Sequence, residues 1–167
     1  MRQIKRWIIA FPLLSFVLIL NTSSQNNPHG RGQLPHTDAV KEIVIRKAIA
    51  DIDFKTGQEN IYFIAFAATQ KDHDPPEEFL KWMKDLSPRI KKASDCEFGE
   101  YGIAKDKETG EEGILLRLSD VKFLSYREAE SGIVIHNWAW GKEGLVFRVA
   151  LENRNWVIKE ERFAFET

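Results

Sequence analysis

The spacing of apolar residues is helical near the start of the folded region and predicts a first helix over about residues 37–52. Thr37 or Asp38 can cap this helix, because a short polar side chain at that place accepts a hydrogen bond from a free backbone N–H group. One stripe of the helix is apolar and consists of Val40, Ile43, Val44, Ala48 and Ile52. Such a stripe is typical of a helix that packs on a neighbouring element through one side.

A buried strand and a second helix are predicted next. Residues 61–67 read IYFIAFA, a short apolar run rich in aromatic and β-branched side chains, which favours a strand over a helix. Asp74 and Pro75 then predict the start of a second helix over about residues 75–86, with an acidic cap and a proline in the first turn. Ser87 and Pro88 end it, because proline disfavours helical geometry at the residue before it.

From about residue 90 onward the apolar period is two, which predicts a succession of antiparallel strands. In one of these strands Leu145, Phe147 and Val149 share a face, the pattern of a sheet with one face on helices and the other toward solvent or a partner. The links between the strands are short and rich in turn residues. The strands are expected over residues 90–93, 99–105, 114–118, 121–126, 133–140, 145–151 and 156–165.

The sequence therefore predicts an α+β domain, in which two helices from the N-terminal half pack on a curved antiparallel sheet. The order of the segments DPPEEFLKWM, KKASDCEF, DKETGEEG and NWVIKEE resembles a group of small, largely uncharacterised exported bacterial proteins. This group has a cystatin-like or nuclear transport factor 2-like form, and the resemblance spans residues 38–166. It implies a helix wrapped by a curved antiparallel sheet and assigns no catalytic residue. Enzymes of the nuclear transport factor 2-like superfamily place acid and base residues in a conical pocket between sheet and helix.

Residues 1–24 have the order of a secretory signal peptide. Arg2, Lys5 and Arg6 form a positive start, an uncharged run over residues 7–20 follows, and small polar residues come next. Cleavage before Gln25 is the first interpretation. An uncleaved anchor is the alternative, although the run is shorter than the roughly 20 residues that span a bilayer. Residues 25–36 are then a flexible leader, and residues 37–167 are a single domain in the periplasm or outside the cell, with no stable membrane span after cleavage.

Charge and cysteine content exclude some functions. The chain has 25 acidic and 24 basic residues, and three of the basic residues precede residue 25, so the remainder is mildly acidic. That balance does not suit a protein that binds nucleic acid. Cys96 is the only cysteine, so no intrachain disulfide can form, and we expect a small buried thiol rather than a redox-active or nucleophilic one. No G-x-S-x-G elbow or phosphate-binding loop is present, and we expect no cofactor.

Two polar clusters have simple structural explanations. Asp72, His73 and Asp74 are metal-ligand types, but consecutive residues rarely converge on one ion and Asp74 has the predicted cap to form, so we expect no metal site. A basic cluster surrounds the second helix and could meet an anionic surface, although pairing with neighbouring glutamates or plain solvation explains it equally. Its members are Lys81, Lys84, Arg89, Lys91 and Lys92.

The candidate binding residues lie on the strand predicted over residues 133–140. By alternation, His136, Trp138 and Trp140 share one face of this strand. Tryptophans can line a site for an apolar ligand, with His136 as the polar group that orients the ligand or moves a proton. The alternatives are that Trp138 and Trp140 cover the core, pair across strands, or form a dimer interface. We expect Trp138 to be largely buried and Trp140 to be more exposed.

Three functions remain open. The first is a non-enzymatic exported domain that binds a small apolar molecule or a protein partner through its sheet. The second is a pocket enzyme of the nuclear transport factor 2-like kind, with His136 as the base in a proton transfer. The third is a structural or accessory subunit of an envelope complex. A cavity in which His136 meets a carboxylate or a tyrosine favours the enzyme, whereas a flat aromatic face favours the subunit.

Overall fold

The computed structural model describes residues 36–57, 60–67, 72–86, 89–99, 103–137 and 141–166. The predicted signal peptide (1–24) and all but the last residue of the predicted leader (25–36) lie outside the described residues. The α+β class is confirmed, with helices packed on a large sheet. In chain order the elements are α1 (His36–Thr56), β1 (Ile61–Phe66), α2 (Glu77–Trp82), β2 (Ile90–Lys92), a 3-10 helix (Ala93–Asp95), β3 (Cys96–Phe98), β4 (Ala104–Asp106), β5 (Glu112–Leu118), β6 (Lys122–Ser125), β7 (Glu128–Asn137), β8 (Gly141–Glu152) and β9 (Asn155–Glu166).

The two helices differ from their predicted bounds. Helix α1 begins one residue before the predicted start and ends four residues after the predicted end. Helix α2 is only six residues long, and Pro76 occupies its cap position without a side-chain hydrogen bond. The predicted cap by Asp74 is wrong, because two prolines separate that residue from the helix. Its carboxylate instead accepts a hydrogen bond from the backbone N–H of Ser94, at 2.9 Å.

One sheet contains all the strands of the described residues. Its main path runs in the order β2-β1-β5-β7-β8-β9, and each pair from β5 to β9 is antiparallel. The hairpin of β3 and β4 joins the sheet through β4, which pairs with the start of β5, and β6 pairs with the start of β7. The strand predicted over residues 99–105 is thus replaced by two shorter ones, and residues 100–102 between them lie outside the described part.

The prediction of a wholly antiparallel sheet is wrong, because β1 runs parallel to both of its neighbours. Tyr62 is opposite Ile90 of β2 on one side and Ile114 of β5 on the other, and both pairings are parallel. The physical reason is the crossover that carries α2, since a chain that leaves one end of a strand and returns to the other end re-enters the sheet in the same direction. All six residues of β1 are buried, as is usual for a parallel strand covered on both faces.

The main core lies between the helices and one face of the sheet, which we call the inner face. Helix α1 contributes the stripe that the sequence predicts, and each long strand contributes every second residue. Its largest fully buried side chains are aromatic, and they are Tyr62, Phe79 and Phe147.

Ion pairs fix the position of the helices. Arg46 of α1 pairs with Asp85 in the turn after α2, at 2.9 Å, and donates a further hydrogen bond to the carbonyl oxygen of Trp82, at 3.0 Å. Lys47 of α1 reaches Glu161 of β9 at 3.2 Å. The helix is therefore connected both to α2 and to the far strand of the sheet, which keeps its apolar stripe over the inner face.

A smaller core lies on the other face of the sheet, under the arm formed by β3 and β4. It joins Phe63 and Leu115 of the central strands to Cys96 and Ala104 of the arm. The arm covers only the β1 and β5 end of that face. We call the whole of this second side the outer face.

Strand β9 is the edge of the sheet and carries two irregularities. The register with β8 skips one β9 residue between Phe163 and Phe165 and another between Ile158 and Glu160. Ala164 and Lys159 are therefore bulge residues. At each of them β9 has one residue more than the strand β8 with which it pairs. Because of these bulges, Glu161 and Phe163 face inward while Arg162 and Phe165 face outward.

Candidate binding face

The outer face carries the strongest candidate site because part of it has no cover among the described residues. Successive residues of a strand point to opposite faces, so Ile135 lies in the main core and His136 points outward. Val134 and Val146 also point outward, are half-buried, and belong to neither core cluster. This region of β7, β8 and β9 is the open part of the outer face.

His136 is the one side chain of the described residues with a buried polar atom that lacks a hydrogen bond. Its Nε2 is enclosed but has no donor or acceptor partner. The residue lies opposite Leu115 of β5 and Lys142 of β8. A buried polar atom left without a partner costs about 1–3 kcal/mol, so it calls for a physical explanation, such as a water or an ion at that place.

An ion pair lies beside this histidine. The guanidinium of Arg117 on β5 donates two hydrogen bonds to the carboxylate of Asp72, from Nε at 2.6 Å and from Nη2 at 2.8 Å. Arg117 is two residues from Leu115, the direct neighbour of His136, so the arginine and the histidine are diagonal neighbours on one face, with Cα atoms about 7–8 Å apart. The ion pair with Asp72 brings the segment that follows β1 next to Arg117.

Burial and the charges around His136 keep its ring neutral. Burial, together with the positive charges of Lys142 and Arg117, lowers the pKa of His136 to about 4, and Asp72 opposes them. At neutral pH the imidazole therefore carries one N–H group and one acceptor nitrogen. It can hold a hydrogen-bonding ligand, but it is a weak proton acceptor.

Next to the polar group the outer face is apolar. The ring of Phe165 lies directly over Gly144, where a methyl group would come within 2.4 Å of it. Gly144 is opposite Val134 on β7, so a glycine, a valine and an aromatic ring form a surface beside His136. The apolar surface and the charged group together can accept a partner that has both an apolar and a polar part.

The far end of the outer face is closed by ion pairs. Arg148 of β8 pairs with Glu128 at 2.8 Å, and Arg162 of β9 pairs with Glu130 at 2.6 Å. Arg162 also pairs with Glu160 of β9 at 3.4 Å, so both arginines of this end are paired with carboxylates.

The predicted tryptophans lie outside the described residues. Strand β7 ends at Asn137, and the segment 138–140, which includes Trp138 and Trp140, is not described. Their predicted burial and their grouping with His136 stay predictions. Arg117, Asp72 and Lys142 were not predicted as site residues. The one available signal was a charged residue, Arg117, within the apolar run ILLRL of β5.

The three consecutive residues considered as metal ligands point to different partners. Asp72 binds Arg117, and His73 pairs through its backbone with Phe66 of β1. Asp74 binds the backbone of Ser94. Within the described ranges, no group of three or more histidine, cysteine, aspartate or glutamate side chains is close enough to hold a metal ion.

The predicted basic cluster is partly neutralised. Lys92 pairs with Glu77 and Lys91 pairs with the buried carboxylate of Asp106. These pairs line an open cavity of about 450 Å³ between α2 and the turn after β4. A second open cavity, of about 540 Å³, lies between the turn after β6 and the turn before β9. Neither cavity includes His136.

Cys96 is at the start of β3 in the smaller core. Burial raises the pKa of its thiol, so the nucleophilic thiolate is disfavoured at neutral pH. The expectation of an unreactive thiol is tested by the labelling rate of the native protein with a polar alkylating reagent.

Comparisons with protein-family models, with curated proteins and with solved structures found no match to this chain. Among the helices that the structure describes, none is both long enough and apolar enough to cross a membrane.

Proposed function

We propose that this chain is an exported, non-enzymatic domain that binds a protein partner through the open part of its outer face. The single observation behind the proposal is the buried Nε2 of His136, which has no partner among the described residues although it lies beside an open apolar surface. The export signal read from residues 1–24 places the encounter in the periplasm or outside the cell.

The shape of the face favours a protein over a small molecule. Sites for small molecules are usually concave and bury most of the ligand. The described part of the outer face is a sheet surface, and the two cavities noted above lie elsewhere. A small apolar ligand would depend on Trp138 and Trp140, which lie outside the described residues.

The geometry gives less support to a proton-transfer enzyme. The resemblance places the acid and base groups of such enzymes between sheet and helix, whereas His136 points away from α1. The space between α1 and the sheet is filled with apolar side chains in the described part. A pKa of about 4 also makes His136 a weak base at neutral pH, where general bases work best with pKa values near the working pH.

We also propose that the domain is related to the cystatin-like or nuclear transport factor 2-like group. The support is the long helix α1 laid over the antiparallel strands from β5 to β9. The parallel unit of β1, α2 and β2 departs from the wrapped antiparallel sheet that this group implies. If the proposal holds, that unit is an addition at the edge of the shared core.

Site-specific photo-crosslinking in the host tests the function. A photoreactive phenylalanine analogue at Val146 reports on the open part of the outer face. The same analogue at Phe54 of α1, which is 90% exposed on the opposite side, is the matched control. We expect an adduct of one defined mass from position 146 in the fraction outside the cytoplasm, and none from position 54.

Other outcomes assign the other functions. An adduct of twice the mass of the chain means that the face joins two copies. An adduct to a large envelope assembly from both positions favours the structural or accessory subunit. No adduct from position 146 contradicts the proposal. A full-length cytoplasmic species as the main product contradicts export.

A further inference from the structure

We infer that the end of the sheet at β6 docks on the surface of a lipid bilayer that contains anionic phospholipids. The inference goes beyond the proposed function, since it concerns a different surface from the open part of the outer face. It is carried by exposed apolar side chains next to two arginines that have no carboxylate partner among the described residues. We call this surface the β6 end, and it consists of Phe123, Leu124, Tyr126, Arg127 and Arg154.

The first observation is the exposure of apolar side chains in β6 and in the turn after it. All four residues of β6 are exposed. Phe123 is 45% exposed, Leu124 is 41% exposed, and Tyr126, the first residue of the turn, is 80% exposed. Single exposed apolar residues are normal on a protein surface, but three within four successive positions indicate a surface that meets another apolar phase.

The second observation is the positive charge beside these side chains. The guanidinium of Arg127 lies 5.3 Å from the centre of the Tyr126 ring. Arg127 and Arg154 line the same open cavity, and neither forms an ion pair within the described ranges. The carboxylate of Glu152, which lines that cavity too, is paired with Lys159 at 2.5 Å. The two arginines are therefore free to meet anions from outside the chain.

The third observation is that the chain enters the described domain at the β6 end. His36 is the first residue of α1, and its ring lies 6.0 Å from that of Trp156, which in turn lies 6.1 Å from the ring of Phe123. Residues 21–35 connect this point to the apolar run of the predicted signal peptide, and they cover at most about 50 Å. The predicted export therefore brings the β6 end close to a bilayer.

The composition and backbone of the β6 end favour a bilayer over a second copy of the chain. Aromatic rings beside arginines suit the membrane interface, where the rings enter the boundary and the guanidinium groups meet phosphates. A two-fold contact between copies would instead place arginines against arginines. Addition of a strand to β6 is also hindered, because its register with β7 shifts between Phe123 and Ser125.

Spin-label accessibility, measured by electron paramagnetic resonance, tests the docking whether or not residues 1–24 remain on the chain. The chain is isolated in the form that accumulates in its host, with Cys96→Ala to remove the native thiol. A nitroxide is attached at Tyr126→Cys. The matched control is Phe54→Cys on α1, because Phe54 is also a highly exposed aromatic residue. The vesicles contain phosphatidylcholine alone or with about one-third phosphatidylglycerol.

We expect anionic vesicles to protect the label at position 126 from a water-soluble nickel chelate and to raise its collisions with oxygen, which dissolves better in lipid. This pattern corresponds to a label about 5–10 Å into the boundary between headgroups and acyl chains. The label at position 54 should stay in water with both kinds of vesicle. Neutral vesicles should protect position 126 far less, because they do not attract the arginines.

Two double variants of the chain labelled at position 126 test the role of charge. Arg127→Gln with Arg154→Gln should weaken partition into anionic vesicles about fivefold for each arginine, or about 25-fold together. Lys81→Gln with Lys84→Gln removes the same charge from exposed positions of α2 and its following turn, and partition should hardly change. All four positions are exposed, so both variants should keep the urea midpoint of the parent chain.

Three results would contradict membrane docking: a label at position 126 that stays in water with anionic vesicles, equal protection at positions 54 and 126, or equal weakening by the two double variants. Spin–spin broadening between labels at position 126 without vesicles would mean that the β6 end joins two copies, and it would also overturn the inference. The crosslink from position 146 is measured separately. Failure of docking therefore leaves the proposed function in place, and absence of that crosslink leaves docking in place.

Discussion

The inner and outer faces of this sheet are made from alternate residues of the same strands. They differ in whether their buried polar groups form hydrogen bonds within the chain. On the inner face, the hydroxyl of the buried Tyr62 donates a hydrogen bond to Asp53 of α1, at 2.5 Å. On the outer face, His136 is partly buried and its Nε2 is left without a partner among the described residues. The buried hydroxyl of the inner face is thus satisfied within the chain, whereas the buried nitrogen of the outer face is not satisfied by the described residues. We therefore expect binding at the place where a buried polar group has no intramolecular hydrogen bond, rather than in the most deeply buried part of the molecule.

The largest expected difference in stability between the two faces comes from substitutions at two adjacent residues of β8. Phe147→Ala should lower the free energy of unfolding by about 3–5 kcal/mol, because a fully buried ring is lost from the main core. Val146→Ala, one residue away on the outer face, should cost less than about 1 kcal/mol. Urea denaturation measures both values. Similar losses at the two positions would mean that the outer face is also a packed core.

Acid should weaken the fold through His136. Its pKa is about 4 in the folded protein, against an ordinary value of 6.5, so the unfolded chain takes up a proton first as the pH falls. The stabilisation is therefore present above pH 6.5 and is lost as the pH falls toward 4, by at most a few kcal/mol because solvent screens the charge of a half-buried ring. Comparing the unfolding free energies of wild type and His136→Gln at pH 7 and pH 4 isolates this contribution from the other titrating groups. If the two chains lose stability in parallel, the histidine is not held neutral by the fold.

The tyrosine of the inner face supplies a third, smaller effect. Tyr62→Phe removes the hydrogen bond to the carboxylate of Asp53 and should cost about 1.5–3 kcal/mol. The matched control is Tyr126→Phe, since Tyr126 is 80% exposed in the turn after β6 and its change should cost almost nothing. Thermal and urea unfolding of the two variants compare them directly. Equal stability of both variants would show that Asp53 finds another partner without loss.

The ion pair of the outer face should give the smallest effect. Arg117 and Asp72 are each about one-third exposed, and pairs of this kind are coupled by about 1 kcal/mol or less. A double-mutant cycle with Arg117→Gln and Asp72→Asn measures the coupling energy. We expect it to fall in 1 M salt, because screening weakens exposed charges. A coupling well above 1 kcal/mol that salt does not change would place the pair in a closed interior.

The pattern of apolar residues predicts faces well. Leu145, Phe147 and Val149 were assigned to one face by alternation alone, and all three are buried on the inner face. The same rule put His136 on the opposite face from Ile135. Both results follow from the strict period of two in a strand, which holds wherever the strand is regular.

The neighbours of a strand are harder to predict than its faces. Nothing in the alternation of apolar and polar residues says that β1 lies beside both β2 and β5, or that both of these pairings are parallel. The uninterrupted apolar run of β1 and the helix that follows it were a usable signal, since both are features of a parallel crossover. Predicting the candidate site would have required the same information. Arg117 and Asp72 are 45 positions apart in the sequence, and they come into contact only because of the order of the strands in the sheet.

The two bulges of β9 have a consequence for the behaviour of the protein at high concentration. An incoming strand needs a regular row of free backbone N–H and C=O groups along the sheet edge, and the bulges at Lys159 and Ala164 interrupt that row twice within six residues. The segment also carries charges of both signs, at Lys159, Glu160, Glu161 and Arg162. We therefore expect this edge to be a poor template for strand addition and fibril growth, although Phe163 and Phe165 are exposed there.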